Sequence, residues 1–255
     1  MVTKNKDKIQ VWKEYKVGLQ LHGEFGGQIP RSKTEIINMI QANAPKTKPE
    51  GAIQSLDELS QEVISQIDIQ DEESDDYIPG WSTFKRNSKN EIMYEGRCVR
   101  GHLKDCALQV ADFFPTIKQF RAKVVNALYV KESMFNVYDS SRNPIVEVDG
   151  VEQRFIHVMT ARGERNAIKF LDYVVDPYIE FTLMLKNVNA RPLHTITLEH
   201  IETMLEYGST HGLGAERSQG WGRYEVTGIT EIKLSLVSEN PIVVDITLSL
   251  SCITF

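Results

Sequence analysis

The alternation of apolar and polar positions predicts a first strand near the amino terminus. In YKVGLQLHG (residues 15–23), every second residue is apolar until the run ends at a glycine, as in a half-buried strand. The same alternation predicts strands and an extended hairpin between residues 122 and 160. Further strands are expected at 178–186 and 223–234. Between them, ARGERN (161–166) is expected to form an exposed basic tip.

A helical period occurs twice. The first helix follows Glu95 and ends at Pro115, and its apolar residues share one face. These residues are Val99, Leu103, Cys106, Ala107, Val110, Phe113 and Phe114. The second helix begins after Thr197, a suitable N-cap, and ends with Gly208 in the left-handed conformation. Two helices, each followed by strands, predict an α+β fold with a ferredoxin-like domain enlarged by insertions.

A long insertion separates the first strand from the first helix. Residues 26–90 are rich in Gly, Pro, Ser, Asn and Lys, and a single stretch, Leu56 to Ile67, has apolar periodicity. Such insertions often carry function or contact a partner. The segment 57–76 holds nine acids and no bases, which is typical of a flexible, solvated segment. We interpret residues 1–255 as one domain.

Charge and cysteine usage exclude several classes of function. A net charge of −6 argues against a surface coated for DNA or anionic lipid, but outside 57–76 the chain has 29 bases against 26 acids, which allows a local basic groove. The charged amino terminus and the lack of a long apolar run predict a cytoplasmic protein without a membrane partner. Cys98, Cys106 and Cys252 form no CxxC pair, so we expect no disulfide framework, no metal site and no cofactor.

The stretch GLGAERSQGWGR (212–223) is the strongest candidate for chemistry. It follows a helix and lacks the lysine of a phosphate-binding P-loop, and Arg217 stands where a dinucleotide fingerprint needs glycine. Glycine-rich backbone can bind phosphate oxygens through its amides, arginine binds phosphates, and Trp221 is a candidate for stacking on a base. The alternative is a tight structural turn with Trp221 buried.

Basic side chains at the start of the first helix form a second candidate surface. The positive charges of Arg97, Arg100 and Lys104 lie near the amino-terminal end of the helix, where the helix dipole is also positive. This unfavourable placement predicts an anionic partner nearby. The alternative is a solvated basic face whose charges pair with nearby acids.

Two segments resemble a known family. The pattern G-h-G-x5-G-h-G, with h apolar, resembles the C-terminal glycine-rich loop of the repeat-associated RNA-binding (RAMP) superfamily of CRISPR systems, and LEHIETMLEYGSTHGLGAERSQGWGRYEV (198–226) is similar to that family's last helix, loop and strand. NEIMYEGRCVRGHLKDCA (90–107) looks like the segment in which a Gly-Ser-Ser-Leu-Arg/Lys-Gly run opens the first helix. Here Glu95-Gly96-Arg97-Cys98 replaces the usual Pro-Gly-Ser-Ser.

The resemblance implies an RRM-like or ferredoxin-like domain with a thumb-like hairpin, for which we expect residues 131–165. It also implies a subunit that binds single-stranded guide RNA in the backbone of a class 1, type III-like effector complex. Copies of itself, stacked head to tail, and other effector subunits would be its partners. The implied RNA-binding residues are Arg97, Arg100, His102, Lys104, Arg162, Arg165, Gly212, Gly214, Arg217, Ser218, Gly220, Trp221, Gly222 and Arg223.

Two alternatives remain open at this point. One is an endoribonuclease of the same superfamily, for which His22 and His102 are candidate acid–base residues. An aspartate that cuts target RNA would lie in the 26–90 insertion, without a fixed position. The other is a structural or protein-binding member that does not bind RNA, which the acidic net charge favours.

Overall fold

The computed structural model describes residues 10–43, 56–160, 163–187 and 195–232. The strands are β1 (Trp12–His22), β2 (Glu24–Gly26), β3 (Ile29–Pro30), β4 (Trp81–Thr83), β5 (Lys85–Arg86), β6 (Ile92–Glu95), β7 (Leu128–Val130), β8 (Met134–Tyr138), β9 (Gly150–Thr160), β10 (Gly163–Val175), β11 (Tyr178–Lys186) and β12 (Arg223–Ile232). The helices are α1 (Lys33–Asn43), α2 (Leu56–Ser65), α3 (Gly96–Gln109), α4 (Phe120–Ala127) and α5 (Leu198–His211), with 3-10 turns at Val110–Phe113 and Arg217–Gln219.

The main sheet contains a ferredoxin-like core. Its strands lie in the order β12-β1-β11-β7, and every pair is antiparallel. Helix α3 follows β1 in the chain, and α5 connects β11 to β12. This is the βαββαβ arrangement with strand order 4-1-3-2. Strands β8, β6 and β5 extend the sheet beyond β11. The predicted α+β class with a ferredoxin-like domain is confirmed.

The core forms where α3 and α5 cover one face of this sheet. Alternation in β1 buries Val17, Leu19 and Leu21 almost completely, while the helices bury Leu103 and Met204 in the same cluster. Each such side chain stabilises the fold by about 1.5–3 kcal/mol relative to exposure. The two helices are thereby fixed side by side, which places the loop after α5 beside α3.

Most of the insertion between β1 and α3 is folded. Helices α1 and α2 pack together around Ile29, Ile36 and Ile67, and strands of the insertion join a second sheet. Glu72, an acid of the 57–76 segment, accepts hydrogen bonds from the side chain of Ser32 and from Thr34 at the start of α1. These bonds lower the pKa of Glu72 to about 2. This part of the acidic segment is therefore ordered rather than flexible, while its other described carboxylates are solvent-exposed as expected.

The hairpin lies further along the chain than the predicted 131–165. Strands β9 and β10 pair in register from Gly150↔Tyr173 to Gly163↔Thr160, so the hairpin spans 150–175. Residues 134–138 instead form β8 of the main sheet, where Phe135 and Val137 are buried.

Two helix boundaries and one strand also differ from expectation. Residues 120–127 form α4 rather than a strand, because Phe120 and Val124, four apart, are both buried. Helix α5 continues past Gly208 to His211 and ends at Gly212, whose φ is +81°. Gly208 is buried inside the helix, and a Cβ there would overlap the hydroxyl of Tyr224.

The first helix ends earlier than expected. Because α3 gives way to a 3-10 turn at Val110, Phe113, which was predicted on the apolar face of the helix, is 73% exposed.

Candidate nucleic-acid interface

A cleft of about 170 Å³ lies between α3 and the loop that follows α5. We call it the α3–loop cleft; its lining includes Tyr94, Cys98, Gly101, Asp105, Gly214 and Arg217. Four elements therefore meet here: the segment between β2 and β3 at Gln28, the end of β6, one face of α3, and the glycine-rich loop. The two segments that carry the family resemblance, 90–107 and 198–226, both contribute to it.

The basic residues of α3 lie beside this cleft rather than within it. Arg97 is 71% exposed, and its guanidinium donates to Glu95 at 2.7 Å. Arg100 is partly buried: it donates to the carbonyl oxygen of Val125 at 3.0 Å and lies over the ring of Tyr129. Arg100 thus ties α3 to α4 and β7. Lys104 is one turn further along the same side of α3 as Arg100.

His102 does not belong to an exposed basic face. Its side chain is 4% exposed, and Nε2 lies 3.0 Å from the hydroxyl of Tyr224. Burial, together with the positive charge of Arg217, lowers its pKa to about 3. The ring is therefore neutral near pH 7, and although it forms part of the wall of the α3–loop cleft, its Nε2 lies against the Tyr224 hydroxyl. The prediction that His102 contacts RNA or acts as an acid–base group is not supported by this environment.

His22, the other acid–base candidate, lies elsewhere. It ends β1, its side chain is 54% exposed, and its Nε2 is 3.8 Å from a carboxylate oxygen of Glu225 on the neighbouring strand. His102 is instead enclosed between α3 and α5. Since neither ring contacts the other, His22 and His102 do not form a pair suited to general acid–base cleavage.

The glycine-rich loop joins the two sheets. The backbone amide of Gly222 donates to the backbone carbonyl oxygen of Glu24 at 2.9 Å, and that of Ala215 donates to the carbonyl oxygen of Gly26. Within the loop, the amide of Leu213 donates to the carbonyl oxygen of Gly222 at 2.8 Å. The four glycines of the predicted pattern all have positive φ. These are Gly212, Gly214, Gly220 and Gly222. The amides of Ala215 and Gly222 thus hold the loop against β2, and several other loop amides bond within the loop or to α5, which leaves less backbone for an anion-binding nest than the sequence suggested.

Trp221 is a core residue of this loop. It is 6% exposed, it packs edge-on against Tyr173 at 5.7 Å between centroids, and the guanidinium of Arg154 lies over its ring. The ring is therefore enclosed by the second sheet. Trp221 is therefore buried in a structural turn, as in the second of the two alternatives given above. We do not propose that it stacks on a base.

Polar residues of the loop are more accessible. Arg217 is 35% exposed and lies 3.8 Å from Asp105 on α3, across the α3–loop cleft. Ser218 and Arg223 are exposed at the outer side of the loop. Arg162 and the side chain of Arg165, predicted at the hairpin tip, lie outside the described residues.

Sequence patterns missed two residues of the cleft. Gly101 is on the outer face of α3, and a Cβ added there would meet nothing within 4 Å. Tyr94 is 5% exposed, and its hydroxyl has no hydrogen-bond partner among the described residues. A glycine inside an amphipathic helix, where packing does not require it, is a signal that the sequence does contain. The unpartnered hydroxyl has no counterpart in any sequence pattern.

Metal-ligand clusters and membrane-spanning helices are absent from the described residues. They contain no group of three or more His, Cys, Asp or Glu placed to hold a metal ion, and no helix among them is long and apolar enough to cross a bilayer. Cys98 and Cys106 are free thiols. Burial raises the pKa of Cys106 to about 12, so it is not a thiolate near pH 7.

The chain is similar in structure to a subunit of a solved complex. No family model and no curated protein matches the chain. Among solved structures, a chain from the cryo-EM structure of the Type III-B Cmr-beta bound to cognate target RNA matches with a TM-score of 0.43 and 13% identity. The match covers 88% of this chain and 61% of that one, so this chain spans about three fifths of its length. Function must be argued from the site itself.

Proposed function

We propose that this protein binds single-stranded RNA along the outer face of α3 and in the α3–loop cleft. The observation that carries the proposal is the convergence of Gly101, Gly214 and Arg217 on one open cleft that also contains an unpartnered tyrosine hydroxyl. Exposed Arg97 extends a positive charge beyond the cleft. The sequence resemblance of these same two segments to RNA-binding RAMP proteins agrees with this position.

The chemistry of the cleft suits a phosphodiester backbone. Arginine offers a planar guanidinium that matches phosphate oxygens, and Arg97 and Arg217 are the accessible arginines nearest the cleft. Both have carboxylate partners in the free protein, Glu95 and Asp105. A phosphate would compete with Asp105 for Arg217, in a partly exposed pair worth about 1 kcal/mol or less. For Arg97 it would compete with Glu95, which is 12% exposed and keeps Lys85 as a second partner.

We propose that this protein is a backbone subunit of a class 1 CRISPR-type effector complex. Copies of the protein would stack head to tail along the RNA. Backbone contacts then supply affinity, and the guide RNA reads sequence by base pairing. Other effector subunits would be further partners. The buried, neutral state of His102 argues against a nuclease that relies on this residue.

A salt series of binding tests the proposal. With labelled single-stranded RNA, the double variant Arg97→Ala, Arg217→Ala is expected to bind about tenfold or more weakly, because two phosphate contacts are lost. The slope of log K against log salt should fall in magnitude by about 1.4, at roughly 0.7 per contact for single strands. Oligomer size, recorded on the same samples, tests the stacking of copies.

The matched control is the double variant Lys118→Ala, Arg121→Ala. Both residues are exposed near the start of α4, away from the lining of the cleft, and their removal changes the net charge by the same amount. This control should bind RNA like the wild type. Equal losses in both double variants would mean that the protein attracts RNA by overall charge alone and that the cleft is not the site.

Replacing Gly101 separates binding from stability. Since a Cβ at Gly101 has open space around it, Gly101→Ala is expected to stabilise α3 by about 0.5–1 kcal/mol. The same methyl group would stand where RNA approaches the helix, so RNA affinity should fall. Denaturant unfolding and RNA titration measure the two effects.

Gly228→Ala on β12 is the matched control for this experiment, because a Cβ there also meets nothing within 4 Å. It should leave RNA affinity unchanged. Gly101→Ala with unchanged affinity would show that RNA does not approach this face of α3.

A further inference from the structure

A groove with an apolar lining lies between α5 and β12. It has a volume of about 490 Å³, and its apolar lining consists of Leu205 from α5 together with Tyr224, Val226 and Ile229 from β12. We call it the α5–β12 groove. Leu205 and Tyr224 are buried by the core, whereas Val226 and Ile229 are only partly buried. The groove therefore continues the hydrophobic core to the surface of the protein.

Strand β12 is an edge strand among the described residues. It pairs with β1 on one side, from Glu14↔Ile232 to His22↔Arg223, and no described strand pairs with its other side. The N–H and C=O groups of such an open edge can pair with a further strand. A strand added there would extend the main sheet, and its side chains on the helix-covered face would lie along the α5–β12 groove.

The chain that follows β12 contains a segment with the pattern of such a strand. Within residues 242–252, which we call the alternating segment, every even position is apolar, and four of the five odd positions are polar. This is the pattern of a half-buried strand. The sequence SENP (238–241), rich in turn-forming residues, precedes it. The chain can therefore leave β12, turn, and return antiparallel along the open edge.

We infer that the alternating segment pairs antiparallel with the open edge of β12 in the same chain and fills the α5–β12 groove with its apolar side chains. The segment suits the groove in charge as well as in polarity. Glu202 and Glu206 of α5 also line the groove, and the single charged residue of the segment, Asp245, is at an odd position and so points to the other face.

The register of this pairing follows from the turn and from β12 itself. A turn at 238–241 places Leu250 opposite Ile229. After Val226, β12 contains one residue more than the β1 segment with which it pairs, and such a bulge moves the register by one. Cys252 then lies opposite Val226. Since opposite residues share a face of the sheet, the even positions of the segment face the groove.

The pairing has a consequence for assembly. An open edge strand is a template for pairing with another chain, and the alternating segment would occupy that template. Copies of the protein would then contact one another through surfaces other than this edge. The inference is independent of RNA binding at the α3–loop cleft.

A disulfide in the full-length chain tests the pairing. Val226→Cys creates a thiol opposite the native Cys252. Directly opposite residues of antiparallel strands have Cα atoms about 4.5–5.5 Å apart, within the range of about 4.4–6.8 Å that a disulfide spans. Under mild oxidation, most molecules of the variant are expected to form an intramolecular 226–252 crosslink, which mass spectrometry of linked peptides identifies.

Thr227→Cys is the matched control, because it places a thiol one residue away on the other face of β12. The hydroxyl of Thr227 lies near the position of a Cβ added to Gly18, and Gly18 alternates in β1 with Val17 and Leu19, which are buried under the helices. This control should not form the crosslink. The double variant Val226→Cys, Cys252→Ser should not form it either, which excludes Cys98 and Cys106 as partners.

Thermal unfolding gives a second readout. Leu250→Asp would bury a charge in the groove and should lower Tm by about 5 °C or more. Ser249→Asp adds the same charge one residue earlier on the other face and should keep the wild-type Tm.

Three results would overturn the inference. The first is a crosslink that is absent from Val226→Cys or equally frequent in Thr227→Cys. The second is a crosslink between two molecules, which would place the segment on another copy. The third is an unchanged Tm in Leu250→Asp, because a segment that fills the groove cannot accept a charge there without loss.

Discussion

Gly222→Ala is expected to destabilise the protein by about 2–5 kcal/mol. Gly222 has φ of +67°, and a Cβ there would overlap the carbonyl oxygen of Leu213, whose amide donates to the carbonyl of Gly222. The left-handed conformation costs a residue with a Cβ about 1–2 kcal/mol, and the backbone overlap adds about 1–3 kcal/mol. Since Gly222 also donates to Glu24 on β2, relieving the overlap would open the junction between the sheets. Denaturant unfolding measures the loss.

Gly220→Ala, two residues earlier in the same loop, is the control. Gly220 has φ of +89°, but the nearest atom to an added Cβ is the end of the Arg223 side chain at 3.6 Å. This variant should lose only the conformational term of about 1–2 kcal/mol. If both variants lose the same free energy of unfolding, the overlap with the Leu213 carbonyl at Gly222 adds nothing. The glycines of the loop would then be needed only for their positive φ.

The elements of the ferredoxin-like core were predictable because each has an amphipathic pattern of its own. Alternation marked β1 and β12, and apolar residues at helical spacing marked α3 and α5. In the second sheet, the β9–β10 hairpin is a local pairing, but the addition of β2 and β4 to β10 was not predictable, because it joins distant segments. Strand β4 runs parallel to β10 at Trp81↔Phe170, and the indole of Trp81 donates to Asp172 at 2.6 Å. No local pattern specifies these contacts.

The candidate site, like the fold, was predictable only in part. The glycine spacing and Arg217 were found from the sequence, because left-handed turns need glycine and phosphate binding favours arginine. The direction of each side chain could not be found in this way. Trp221 faces the second sheet and Arg100 faces α4, although both stand in motifs that suggested contact with RNA. Tyr94 was missed because an unpartnered hydroxyl is a property of the packed structure.

The neutral state of His102 predicts that stability falls in mild acid. Burial holds the pKa of His102 at about 3 in the folded protein, whereas the unfolded chain binds this proton near pH 6.5. The unfolded state therefore binds more protons between these values, and stability decreases as pH falls from about 6.5 to about 3. The slope from this residue is at most about 1.4 kcal/mol per pH unit. The pKa of His200 is also lowered by burial and adds a loss of the same sign.

Two variants isolate the contribution of His102. His102→Gln removes the titration and keeps a polar group near the hydroxyl of Tyr224, so it should unfold more easily at pH 7.5 but show a flatter decline between pH 6.5 and 4.5. His22→Gln replaces a half-exposed histidine with the same residue and is the matched control. Urea unfolding at a series of pH values measures the difference. A wild-type slope retained in His102→Gln would mean that His102 is accessible to protons in the folded protein, and its exclusion from acid–base chemistry would then fail.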